Sequence, residues 1–116
     1  MKRMFLIVAA LIIAAPLSAH AQERMSDSRY LAAQRCLAYA DLQQFQADSG
    51  NFSALRDAAD AGGRLGSVRS EARTQARDIR VRASGASIDE LRERRDEACA
   101  SFVQHGLVQL NRANAT

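Results

Sequence analysis

Two cysteines, Cys36 and Cys99, lie 63 residues apart in a chain of 116 residues, and no third cysteine competes for either. What such a pair does depends on the compartment, and the N-terminus speaks to that. Lys2 and Arg3 give a short positive start, Met4 to Ala15 is an unbroken apolar run, and Pro16 ends it. Ala19-His20-Ala21 then places small residues where a signal peptidase reads. The pattern predicts a secretory signal peptide over residues 1–21, cleaved after Ala21. The run holds 12 residues, and a spanning helix needs about 20. The protein is therefore expected in the bacterial periplasm or outside the cell, where disulfides persist.

Without that segment, residues 22–116 form one expected domain of 95 residues. It has no lysine, 14 arginines and 13 acids, a net charge of +1. The +3 of the whole chain thus overstates its basicity, and a nucleic-acid binder is not indicated. Its larger apolar side chains number only 22, with no tryptophan. A core that thin needs a staple. An intramolecular Cys36–Cys99 disulfide supplies one, closing a loop worth about 4 kcal/mol of unfolded-chain entropy. A bridge between two chains is the alternative. Redox and haem-attachment readings find no Cys-x-x-Cys spacing to rest on.

The sole proline lies in the signal segment, and alanine, arginine, glutamine and glutamate are abundant, so the expected class is all-α. The spacing predicts a stapled bundle of three or four helices. The first runs over 27–48, capped by Asp27 or Ser28 and stopped before Gly50. It shows a large-residue stripe (Leu31, Ala38, Leu42, Phe45) and a small-residue side (Ala32, Cys36, Ala40, Ala47). That suits a central helix with a neighbour on each side. A short helix over 53–61, capped by Ser53, ends at Gly62-Gly63. The third runs over 65–83, with Leu65, Val68, Ala72, Ala76, Ile79 and Ala83 on one face. The fourth runs over 87–111 from the capping box Ser87-Ile88-Asp89-Glu90, and Arg112–Thr116 is expected to fray. Running the three long helices up, down and up would make the first and last parallel, although mid-helix cysteines also suit an antiparallel pair.

Few residues suggest chemistry. His105 is the one histidine outside the signal segment, too few for a metal site. Gly62-Gly63-Arg64-Leu65-Gly66 lacks the lysine of a phosphate loop. Asp89-Glu90 and Asp96-Glu97 sit among Arg92, Arg94 and Arg95, the mark of a solvated charged helix face, with Glu90 and Arg94 a favourable four-residue pair. No enzyme, cofactor or metal is expected.

Two arginine features remain. Arg69, Arg73, Arg77 and Arg80, spaced 4, 4 and 3, cover about an 80° stripe on the third helix. They are the candidate anion- or partner-binding residues, since guanidiniums hold carboxylates and phosphates bidentately. The competing reading pairs them with acids of the first or fourth helix. Arg95 falls on the apolar face of the fourth helix between Leu91 and Phe102 and needs a carboxylate, for which Asp41 is the candidate. The expected function is a small exported helical binding protein of the cell envelope, an adaptor, inhibitor or chaperone-like factor. Its expected partner is a protein or another anionic envelope component. The alternative is a structural envelope component that self-associates through alanine-rich helix faces.

Overall fold

A computed structural model describes residues 24–110; the expected signal peptide and the fraying tail lie outside the described residues. Among the described residues there are helices and no strands, as composition predicts. Helix α1 spans Asp27–Ala40, α2 Ser53–Asp60, α3 Gly66–Ala83 and α4 Ile88–Gln104. A 3-10 segment, Gln43–Phe52, joins α1 to α2.

The first helix is shorter than its spacing predicts. Asp41 closes α1, its N–H bonding the Leu37 carbonyl while the Leu42 N–H bonds that of Tyr39, and Leu42 is extended at ψ 144°. A carboxylate is poorly placed at a helix C-terminus, where the dipole is negative. Two tighter turns follow, joined at a non-helical Phe45. The break has a packing consequence: Leu42 and Phe45 still reach the core, and the chain turns back so that Phe52 and Leu55 are fully buried. Ser26, not Asp27 or Ser28, caps α1 by accepting from the Arg29 N–H at 3.1 Å. At α2 the hydroxyl of Ser53 donates to the Gly50 carbonyl instead of capping.

Helix α4 begins at the expected serine cap, with Ser87 Oγ accepting from the Glu90 N–H at 3.1 Å, while the Glu90 carboxylate is taken by Arg94 and leaves the reciprocal half of the capping box unmade. It ends at Gln104, earlier than 111. Gly106 adopts a left-handed φ of 79°. Its N–H bonds the Val103 carbonyl, and the Leu107 N–H bonds that of Phe102, the paired 6→1 and 5→2 closure that favours glycine after a last turn. The chain then folds back, burying Val108 and bonding the Gln109 N–H to the Asn51 carbonyl.

α1 is the hub, packed against α2, α3 and α4, so the expectation of a neighbour on each side holds. The directions differ from up, down and up. The Gln75 side chain donates to the Leu31 carbonyl near the start of α1, while Ile79 and Ala83 pack with Tyr39 and Leu42 at its end. α3 is therefore parallel to α1. Conversely, Arg29 bonds Ser101, Cys36 is bridged to Cys99, and Tyr39 shares a cluster with Leu91. α4 is thus antiparallel to α1. The short helix explains this: α2 carries the chain back down, from the Arg56–Asp41 pair at the end of α1 to the Arg64–Asp27 pair at its start. Gly62 makes the following turn at φ 73°, and a Cβ there would stand 2.7 Å from Cδ of Arg24.

The core has two lobes. One gathers Tyr30, Ala33, Leu37, Phe52, Leu55, Phe102 and Val108 around the disulfide; the other gathers Tyr39, Leu42, Phe45, Ile79 and Leu91. The Cys36–Cys99 disulfide is intramolecular and fully buried, with Cα atoms 4.9 Å apart. Ala33 and Ala40 of α1 are buried in the same cluster as the disulfide. Leu65, assigned above to the buried face of the third helix, is instead 71% exposed. It occupies the extended N-cap of α3 and so lies outside the helical repeat that buries Ala72 and Ile79.

Candidate functional site

The arginines divide into two populations. Outside α3, each described arginine has a partner within the fold. Arg24 donates to the Gly63 carbonyl. Arg29 stacks 4.0 Å over Phe102, and Arg35 lies 5.5 Å over Tyr39. Arg56 pairs with Asp41, Arg92 with Asp89 and Arg94 with Glu90. The hydrogen bonds that Arg56 donates to Asp41 hold its guanidinium above its usual range, against partial desolvation. Glu90 does the same for Arg94, through its hydrogen bond and its charge. Arg64 pairs with Asp27 at 2.9 Å and covers the Tyr30 ring at 4.5 Å. Its Nε and Nη2 are buried without a partner among the described residues.

Arg95 is buried, as its place on the apolar face requires. Its carboxylates are Asp48 at 3.2 Å and Asp96 at 3.1 Å, and its guanidinium lies 4.5 Å over Phe45. Asp41 is engaged by Arg56, so the expected Arg95–Asp41 pair is corrected. The real partner, Asp48, comes from the 3-10 segment, which a continuous first helix would have carried elsewhere. His105 donates from Nδ1 to the Ser101 carbonyl at 2.7 Å, a local contact at a helix end. Among the described residues no group of three or more His, Cys, Asp or Glu side chains is arranged to hold a metal.

On α3 the situation reverses. Arg69, Arg73, Arg77, Arg80 and Arg82 are exposed. Among the described residues none forms a salt bridge, a side-chain hydrogen bond or a stacked ring contact. Ala72, Ile79 and Ala83 face inward. At 100° per residue this sets Arg69, Arg73 and Arg77 along one flank, with Glu71 and Asp78 on the other. The pairing of this stripe with acids of the first or fourth helix is absent among the described residues. Arg80 shares that flank by the helical repeat. It lines a cleft of about 260 Å³ between α1, α2 and α3, together with Gln34, Asp41, Arg56 and Asp60. The stripe thus resolves into a three-residue row and a fourth arginine at the cleft.

Spacing alone missed the ends of the row. Leu65 precedes Arg69 by four residues and Val81 follows Arg77 by four. They are the two most exposed large apolar side chains among the described residues, at 71% and 66%. Helical spacing places Leu65 beside Ala72 on the buried face, and its exposure comes instead from its extended backbone at the N-cap. From Arg69 to Val81 the row is about 18 Å long at 1.5 Å per residue. No family model, curated protein or solved structure matches the chain.

Proposed function

We propose that this is a small exported binding protein of the bacterial envelope that recognises an anionic partner surface through Arg69, Arg73 and Arg77, with Arg80 beside them. The supporting observation is the contrast between α3 and the rest of the fold. Every described arginine elsewhere is engaged by a carboxylate, a carbonyl, a hydroxyl or a ring. Those on α3 are solvent-exposed and unengaged among the described residues. Holding several like charges on one rigid helix face costs repulsion that an anionic surface relieves. Planar guanidiniums also suit bidentate carboxylate recognition. A helix packed on α1 holds the row rigid, which lowers the ordering cost of binding. Export rests on the N-terminal pattern and agrees with a disulfide-stapled fold. No helix of the described residues is long and apolar enough to cross a membrane.

The test is titration of the oxidised protein with poly-glutamate at low salt, beside the Arg73→Glu/Arg77→Glu variant. Binding should fall at least tenfold in the variant, with the circular-dichroism helix signal and melting temperature retained. Equal binding by both proteins would move the contact off α3.

A further inference from the structure

The fold carries a counterpart to the arginine row. On α4, Asp89, Glu93 and Glu97 are exposed and follow the same four-residue interval. Asp89 has only the local surface pair with Arg92. Glu93 and Glu97 have no ion pair among the described residues. The inward face of α4 is Leu91, Arg95, Cys99 and Phe102. By the helical repeat the acidic row therefore points away from α1. The arginine row lies on the α2 side of α3, since Arg80 and Ala76 line the cleft shared with α2. The two rows face different ways, so they do not neutralise each other within one molecule.

We infer that the anionic surface fitted to the α3 row is the acidic α4 row of a second copy of this chain. The inference rests on reading the α3 arginines as a recognition surface and names the partner. Both rows are ridges of residues four apart, the kind that interdigitates when two helices pack. Laid antiparallel, Arg77 meets Asp89, Arg73 meets Glu93 and Arg69 meets Glu97. Because donor and acceptor rows are different surfaces, the contact is head-to-tail. Each dimer leaves one row of each sign open, so assembly continues past the dimer or closes into a ring. Exposed ion pairs contribute little singly, so the association is weak and depends on concentration and salt.

Sedimentation equilibrium of the oxidised protein at low salt, up to millimolar concentration, tests this with three variants. The wild type should gain mass with concentration and lose it at 0.5 M salt. Arg73→Glu/Arg77→Glu and Glu93→Arg/Glu97→Arg should each weaken association at least tenfold. The four-substitution variant has the net charge of the wild type and should recover association, because both rows are inverted together. A wild type that stays monomeric, row variants that still associate, or a swapped variant that does not recover would each overturn the inference. Melting curves exclude misfolding as the cause. A monomeric wild type that still binds poly-glutamate through α3 would leave the recognition reading standing without this partner.

Discussion

At the residue scale, arginine does work that lysine and tryptophan do in other small folds. Arg29, Arg64 and Arg95 lie over Phe102, Tyr30 and Phe45 with their guanidiniums turned to polar partners at the rim. The cationic head lies on the ring face while keeping at least one polar contact, although Nε and Nη2 of Arg64 have no partner among the described residues. Arg95→Ala should lower stability by about 2 kcal/mol, mostly from the space left beside Phe45. In a fold of this size that is a melting shift of about 10 °C. Arg95→Met should recover most of the loss, because Asp48 and Asp96 are partly exposed and can hydrate. Urea denaturation of the three proteins checks the order. The burial of Arg95 was legible in the sequence from its position between Leu91 and Phe102. Its partner was not, because Asp48 reaches it only through a turn that helical periodicity conceals.

At the element scale, helix starts were easier to read than helix ends. The Ser87 cap is a local pattern, and α4 uses it. The stop at Gly106 needed one more cue, the apolar Leu107 immediately after the glycine. Gly106→Ala should cost about 1 kcal/mol, because alanine resists the left-handed conformation that closes α4. Ser87→Ala should cost a similar amount through loss of the cap. Thermal melts of both variants would show this. The break after Ala40 was not legible, since Leu42 and Phe45 continue the apolar period of α1 while leaving its helix. By contrast, Val81→Ser should change stability by no more than about 0.5 kcal/mol, as befits an exposed site. Arg73→Lys/Arg77→Lys keeps the charge but loses the planar fork. It should bind poly-glutamate more weakly than the wild type and more tightly than the Glu reversal.

At the scale of the whole molecule, the disulfide joins two helices that run in opposite directions at the centre of one core lobe. The pairing was legible from the presence of just two cysteines, and the helical class from composition. The directions were not, because they turn on α2, whose eight residues are enough to carry the chain back along α1. Replacing both Cys36 and Cys99 with alanine should remove about 4 kcal/mol, a large share of what a fold of this size holds. Guanidinium unfolding of the oxidised and alanine proteins measures it. The same architecture leaves both flanking faces open, arginines on α3 and carboxylates on the outer side of α4. The most direct measurement of the recognition claim is amide chemical-shift mapping as poly-glutamate is added to the oxidised protein. Perturbations concentrated between Leu65 and Val81, on the flank carrying Arg69, Arg73 and Arg77, are the predicted result. Shifts centred on α2 or on the outer face of α4, or none at all, would contradict it.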